Sequence, residues 1–259
     1  MWNINDRGFL PETIAVDDWY SDKLSHITYD LPQWIEKRIV REELVSNLRE
    51  LCGRSEKFNN HLFDLYNSEQ DSTNILEKYM QYFSYFASAY VYTRNETPAT
   101  HIPSEIAFHL VEIAEKLNRK PILSYASYCL TNWCKKDVNK PIELGNIELL
   151  YNFCSESCGK TDEDWFILVH VEIEQAAAKG ISACKDISNP KKCLTNIYES
   201  LIWMNRILAR MPEQCSPENY FRWVRPYIWS FNNMVYKDCF NNKPITFRGE
   251  TGAQSSVVP

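Results

Sequence analysis

Apolar side chains cover nearly the whole circumference of a predicted helix over residues 162–184. The segment reads DEDWFILVHVEIEQAAAKGISAC, and its apolar positions run from Trp165 to Ile181 with few interruptions. A helix that is apolar on every side is buried among other helices. Thr161 followed by Asp164 resembles a capping box and predicts where the helix begins. We therefore expect this segment, the central helix, to lie in the middle of the fold.

Three polar side chains interrupt the central helix: His170, Glu172 and Glu174. Phe166, His170 and Glu174 are spaced i, i+4, i+8, so they form one stripe along a helix. One interpretation is a core histidine that pairs with Glu174 one turn away, because structural ion pairs commonly involve histidine. The other is a histidine directed into an internal cavity.

Further helical patterns alternate with breakers along the rest of the chain. Asn189-Pro190 and Ser216-Pro217 each provide a helix N-cap and first residue, and Pro226 should bend the second of these helices. No segment shows convincing strand alternation or an internal repeat, so the sequence predicts an all-α fold. We expect an N-terminal helical part in residues 1–100 and a second part in residues 101–259, or one continuous domain. Helices are predicted over residues 33–51, 74–94, 104–118, 147–153, 191–211 and 219–236.

The composition supports packed helices and excludes some partners. The 259 residues include only 7 Gly but 8 Trp, 15 Tyr and 12 Phe, which favours helices around an aromatic interior. The net charge is −6 with scattered Lys and Arg, which argues against nucleic acid or an anionic membrane as partner. The sequence shows neither a signal peptide nor a membrane-spanning segment. We therefore expect a cytoplasmic protein.

Nine cysteines raise the question of disulfides or a metal site. Without an export signal we expect reduced thiols. The pairs Cys129/Cys134 and Cys154/Cys158 faintly resemble metal ligands, but their spacings differ from C-x2-C and no matched second pair lies nearby. A zinc site is therefore not favoured.

Three blocks of sequence together are similar to one enzyme family. They are PILSYASYCLTNWCKKDVNKPI at residues 121–142, WFILVHVEIEQAAA at 165–178, and GETGAQSS at 249–256. GFLP at residues 8–11 and the helix that contains Phe221 and Arg225 fall in the same order as in that family. The chain thus resembles the indoleamine 2,3-dioxygenase family.

The resemblance implies an all-helical enzyme that uses haem b and O2 to open the C2–C3 bond of an indole substrate. His170 is the implied catalytic residue, and it also contacts the substrate. The other residues implied to bind the substrate are Tyr125, Phe166, Tyr220, Phe221, Arg225 and Thr251. Those implied to contact the haem are Tyr125, Phe166, Gly252, Ala253 and Ser255.

Two positions depart from the family pattern and bear on the substrate. His170 stands where the indoleamine enzymes carry serine and the related tryptophan 2,3-dioxygenases carry histidine, which implies free L-tryptophan recognised through its indole N–H. Trp229 replaces a small residue, which implies a narrower pocket.

Arg225 falls at the arginine that binds the substrate carboxylate, a role suited to its planar guanidinium. The structural alternative for Arg225 is a bond to a glutamate or to a helix C-terminus.

The resemblance leaves the haem iron without a ligand. In the family a proximal histidine follows the glycine-serine loop at some distance, whereas this sequence ends at Pro259. We therefore expect a helical bundle that is incomplete at its C-terminus and a companion C-terminal chain or segment. A haem monooxygenase or rearrangement enzyme on an indole amino acid, and a haem-free binding or interaction protein, are the alternatives. The histidines that do not match the proximal position are His26, His61, His101, His109 and His170.

Overall fold

The computed structural model describes residues 7, 10–11, 18–52, 56–67, 73–185, 188–249 and 255. Its architecture is all-α, as predicted. The main helices are α1 (Trp19–Lys37), α2 (Val40–Leu51), α3 (Glu56–Asn67), α4 (Thr73–Val91), α5 (Ser104–Lys116), α6 (Lys160–Ala183) and α7 (Pro190–Leu208).

Two small sheets connect the helices, and the sequence pattern did not predict them. Strand β1 lies parallel to β4, β4 is antiparallel to β5, and β2 is antiparallel to β3. Strands of two to six residues are too short to display a clear alternation of apolar and polar positions. The strands are β1 (His101–Ile102), β2 (Trp133–Lys135), β3 (Ile147–Leu149), β4 (Phe231–Tyr236) and β5 (Pro244–Phe247).

Two predicted helices were therefore wrong in part. Residues 147–149 form β3 instead of a helical turn. The helix predicted over residues 219–236 ends near Ile228, and its last six residues form β4. Pro226 lies at this break, where its missing N–H and its ring prevent a regular helix from continuing.

The helix predicted over residues 33–51 is divided between α1 and α2. Pro32 lies inside α1, and the chain turns at Arg38, whose backbone is left-handed at φ 61° and ψ 32°. The Arg38 N–H then bonds to the Ile35 carbonyl, which closes the helix end. Pro32 is tolerated within a helix that buries Leu31 and Trp34 on the core side.

The central helix is α6, but it begins earlier than the capping pattern predicted. Gly159 is the N-cap, at φ 84°, and provides no side-chain bond. Thr161 lies inside the first turn, so the predicted capping box was wrong. Asp164 instead accepts hydrogen bonds from Lys160 and Asn152. Helix α6 packs along α7 and also contacts β3.

The buried carboxylate of Glu163, in the first turn of α6, joins the helix to the preceding segment. It accepts hydrogen bonds from the backbone N–H groups of Phe153 and Cys154 and from the Tyr128 hydroxyl. Burial raises its pKa to about 7, and the backbone bonds act in the opposite direction. The start of α6 is therefore fixed to its neighbours by buried polar contacts.

One cluster of buried apolar side chains extends from α1 to β4. At its centre the ring of Phe153 stacks between Tyr85 and Tyr227, with centroid distances of 4.5 and 4.7 Å. The nine cysteines are free in the structure. No helix in the described ranges is both long and apolar enough to cross a membrane. The division near residue 100 stays a prediction.

Candidate functional site

Four of the residues singled out in the sequence lie close together on and beside α6. The rings of Phe166 and His170, one helical turn apart, have centroids 4.5 Å apart. Tyr220 packs on the other side of Phe166, also at 4.5 Å. The Tyr125 ring lies edge-on to His170 at 6.1 Å. Phe166, His170 and Tyr220 are partly exposed, and these three side chains are called the aromatic wall below.

The hydrogen bond of His170 fixes the role of each ring nitrogen. Its Nδ1 lies 2.7 Å from the carbonyl oxygen of Phe166. A carbonyl oxygen only accepts, so Nδ1 carries the proton and Nε2 of the neutral ring keeps its lone pair. Burial lowers the pKa of His170, although the bond to Phe166 acts in the opposite direction. The described contacts of His170 do not include Glu174, so the ion-pair interpretation finds no support.

Glu174 instead joins three parts of the chain behind the aromatic wall. It is fully buried and accepts a 3.0 Å hydrogen bond from the Tyr125 hydroxyl. The Ser255 hydroxyl donates to the same carboxylate oxygen. Ser255, implied by the resemblance to contact haem, is thereby held against α6. A carboxylate on a largely apolar helix was the one signal for this link in the sequence, and its partners could not be predicted.

Arg225 follows a π-helical turn, Tyr220–Val224, in which its N–H bonds to the Tyr220 carbonyl. The side chain is partly buried and makes no hydrogen bond or ion pair within the described part of the chain. The structural alternative, a bond to a glutamate or a helix end, is therefore not observed there. Phe221, by contrast, is 69% exposed and lies outside the aromatic wall.

A second π-helical turn, Ala126–Leu130, directly follows Tyr125. The Thr131 N–H reaches back to the Ala126 carbonyl at 3.0 Å, a bond across five residues. Single π-helical turns often occur at functional sites, because the wider turn changes where the neighbouring side chains point. Both turns in this protein adjoin candidate site residues.

Gly249 is in close contact with the chain before β4. A Cβ atom at Gly249 would lie 2.5 Å from the carbonyl oxygens of Ile228 and Trp229, so only glycine fits there. Trp229 is 41% exposed and packs edge-on against Tyr92 at 5.9 Å. The candidate residues Thr251, Gly252 and Ala253 lie outside the described residues.

Comparison with known proteins gives the family. The model of the family "Indoleamine 2,3-dioxygenase" matches residues 2–259. The chain belongs to this family. Rat indoleamine 2,3-dioxygenase 1 is 33% identical over 190 residues, which cover 67% of this chain and 46% of the rat protein.

Other relatives have lower sequence identity. The Saccharomyces cerevisiae indoleamine 2,3-dioxygenase is 25% identical over 245 residues, covering 84% of this chain and 53% of the yeast protein. A protein named myoglobin from Haliotis madaka is 29% identical over 189 residues, covering 66% of this chain and 47% of its own. The chain thus spans about half the length of these relatives.

Haem needs an apolar surface for its ring and an axial ligand for its iron. The rings of the aromatic wall are apolar but mutually tilted, by 52° between Phe166 and His170 and by 34° between Phe166 and Tyr220. No group of three or more His, Cys, Asp and Glu that could hold a metal ion occurs in the described ranges. His26 lies beside Asp22 and His61 beside Tyr79, while His101 and His109 contact other aromatic rings. Among the described residues, the aromatic wall therefore offers ring contacts for a haem, and His170 is the one histidine that belongs to it.

Proposed function

We propose that this chain provides the substrate-binding side of a haem-dependent dioxygenase that opens the C2–C3 bond of L-tryptophan or a related indole amine. A companion C-terminal segment would supply the iron ligand, and the haem would supply the redox chemistry with O2. The observation that carries the proposal is the His170–Phe166 hydrogen bond. It leaves Nε2 as a hydrogen-bond acceptor on a ring that lies against Phe166, which in turn packs against Tyr220.

An indole ring matches this arrangement in shape and in hydrogen bonding. Its flat π-system packs against Phe166 and Tyr220, and its N–H is a donor that Nε2 of a neutral imidazole accepts. This bond would fix the orientation of the C2–C3 edge, which is catalysis by positioning. His170 therefore acts as an acceptor only while it is uncharged.

The carboxylate of the amino acid would bind Arg225. A partly buried guanidinium without a partner in the described residues is a site for an anion, and its fork matches a carboxylate. Tyr220 and Arg225 are joined by the backbone bond of the π-helical turn. The turn therefore sets the position of Arg225, which would bind the carboxylate, relative to Tyr220, which would contact the indole ring.

Family membership supports dioxygenation, and the same residues would serve haem-dependent monooxygenation or rearrangement of an indole amino acid. A haem-free indole-binding protein is the second candidate. It is favoured by one observation: the four other histidines of the described residues contact groups away from the aromatic wall.

The test compares L-tryptophan with 1-methyl-L-tryptophan, which has no N–H to donate. Calorimetric titration of the parent and of His170→Ser should show tryptophan binding weakened by roughly 0.5–1.5 kcal/mol, the value of one neutral hydrogen bond. This corresponds to a few-fold to about tenfold in Kd. The binding of the methylated ligand should weaken much less.

The exposed His101 supplies the matched control, because His101→Ser should leave both affinities unchanged. Equal losses for the two ligands in His170→Ser would contradict the proposed acceptor. A parent chain without measurable affinity for tryptophan would contradict the substrate-binding role itself.

A further inference from the structure

Lys78 on α4 is a buried amine whose hydrogen-bond partner, Gln81, is uncharged. Its exposed fraction is 7%. Its Nζ donates to Gln81 Oε1 at 2.9 Å and lies 4.7 Å from the ring centroid of Tyr151 and 5.5 Å from that of Tyr82. No carboxylate pairs with it among the described residues. Burying an ammonium without a counter-ion is costly, so the neutral amine is favoured.

A cavity of about 470 Å³ between α1 and α4 gives access to this amine. That volume is within the range of small-molecule sites. It lies apart from the aromatic wall, which none of its lining residues joins. The cavity is lined by Asp18, Trp19, Ser21, Asp22, Ser25, Lys78 and Tyr82.

The titratable groups around Lys78 do not restore its positive charge. Burial lowers the pKa of Lys78 to about 8, and only Cys134 acts in the opposite direction. Burial raises the pKa values of Tyr82 and Tyr151, so both hydroxyls stay neutral at pH 7. With a pKa near 8, about a tenth of the amine is uncharged at pH 7, compared with about 0.04% for an unperturbed lysine.

We propose that Lys78 is a carbonyl-binding site that forms an imine with small aldehydes or ketones. The Nζ lone pair attacks the carbonyl carbon and forms the C–N bond, while the carbonyl oxygen takes up a proton. The nitrogen then loses its protons, the hydroxyl leaves as water, and a C=N bond results, without any change of oxidation state. Desolvated lysines are the usual Schiff-base nucleophiles in proteins.

The side chains that line the cavity provide hydroxyl groups for proton transfer and carboxylates that select the charge of the ligand. The hydroxyls of Ser21 and Tyr82 lie 3.1 Å apart and line the same space, so they are placed to exchange the protons of the addition and dehydration steps. Asp18 and Asp22 make the wall acidic. Like charges repel, so the ligand is a neutral or cationic carbonyl compound.

The experiment traps the imine at pH 7 with sodium cyanoborohydride and locates the reduced adduct by peptide mass spectrometry. Benzaldehyde and 4-carboxybenzaldehyde are the probes, because they differ by one negative charge. Lys23 is the internal control, since it is an exposed lysine on α1 near Trp19. We expect Lys78 to be labelled at least about tenfold faster than Lys23, as follows from its larger uncharged fraction.

Three further results distinguish a specific binding site at Lys78 from the general reactivity of lysine side chains. Benzaldehyde should label Lys78 faster than 4-carboxybenzaldehyde does, with a smaller difference at Lys23. The rate at Lys78 should level off above pH 8. Lys78→Met should abolish the fast-forming adduct, and Lys23→Met should leave it in place.

Labelling of Lys78 at or below the rate of Lys23, or a preference of Lys78 for the anionic probe, would overturn the proposal. Site mapping in the parent protein decides this even if Lys78→Met fails to fold.

Discussion

At the scale of single residues, His109 and His170 are both imidazoles that burial keeps neutral, but their ring nitrogens differ. His170 Nδ1 donates to a backbone carbonyl. His109 Nδ1 is sealed from solvent and has no partner in the described part of the chain. The His109 ring lies against Phe58 at 4.9 Å and Phe83 at 5.2 Å. His170 is placed to accept a hydrogen bond from a ligand, as proposed above, whereas His109 mainly fills the core.

Stability at mildly acidic pH should depend on His109. Burial lowers its pKa from 6.5 to about 4, so between these values the unfolded chain binds more protons than the folded one. The free energy of unfolding therefore falls as the pH falls through this window. The loss attributable to His109 should be about 2 kcal/mol between pH 7 and pH 5.

Urea unfolding of the parent and of His109→Phe at both pH values measures this contribution. The variant should lose less stability on acidification, because phenylalanine does not titrate. Glu163 also titrates here with the opposite sign, but its effect is common to both proteins and cancels in the difference. An identical pH dependence of parent and variant would refute the assignment.

Arg225→Ala should weaken binding of L-tryptophan far more than binding of tryptamine, which lacks the carboxylate. Loss of a charged partner in a buried site costs on the order of 2–5 kcal/mol, and a partly exposed arginine should fall at the lower end. Calorimetry with both ligands gives the comparison. Arg222→Ala, which removes a nearby exposed arginine that stacks on Trp223, is the control and should affect neither ligand. A similar loss for tryptamine would assign Arg225 a structural role.

At the scale of elements, the start of α6 depends on Glu163 more than on any capping side chain. Glu163→Ala would leave the N–H groups of Phe153 and Cys154 and the Tyr128 hydroxyl unpaired in the core. Each unsatisfied group costs about 1–3 kcal/mol, so we expect a loss of about 3 kcal/mol or more in the free energy of unfolding. Urea denaturation at pH 7 measures it.

The neighbouring Asp164 provides the comparison. It is partly exposed and pairs with Lys160, so Asp164→Ala should cost below about 1 kcal/mol. Comparable losses for the two variants would mean that the buried network around Glu163 contributes little.

The same region illustrates what the sequence could predict. A helix whose apolar side chains cover nearly its whole circumference is buried among other elements, so α6 and its position were predictable. The start at Gly159 was not, because a left-handed glycine cap has no side-chain signal. The two π-helical turns and strand β3 were also missed, since each is set by contacts distant in the sequence.

The sequence predicted one contact within the candidate site but not its hydrogen bonds. The i, i+4 spacing already placed Phe166 beside His170. The partner of Glu174 and the tautomer of His170 depend on Tyr125, Ser255 and a backbone carbonyl that the spacing does not specify. The roles of Thr251, Gly252 and Ala253 stay predictions.

At the scale of the whole molecule, α7 is apolar on a face that no described element covers. Four of its exposed large side chains recur at intervals of four, three and seven residues, which places them on one stripe. A companion segment of the kind proposed above would have such a surface available to it. These side chains are Leu194, Tyr198, Leu201 and Leu208.

Titration with haemin tests the molecule as a whole. The chain alone should give weak binding and a broad absorption band, because the aromatic wall lacks an opposing axial ligand. A separately supplied C-terminal segment from a relative, such as the rat protein, should sharpen the spectrum to that of a histidine-ligated haem. A sharp six-coordinate histidine spectrum from the 259 residues alone would show that one of their own histidines binds iron.

The π-helical turn at Tyr220–Val224 also matters for comparing sequences across the family. It is equivalent to an α-helix with one residue inserted, and one helical residue corresponds to a rotation of roughly 100°. Arg225 and the residues after it are therefore presented on a different side from the one that an uninterrupted helix would use. A relative with a single-residue deletion here would turn its arginine toward other neighbours. If Arg225 binds the substrate as proposed, a one-residue gap at this point of an alignment is a change in ligand recognition and not a neutral difference in length.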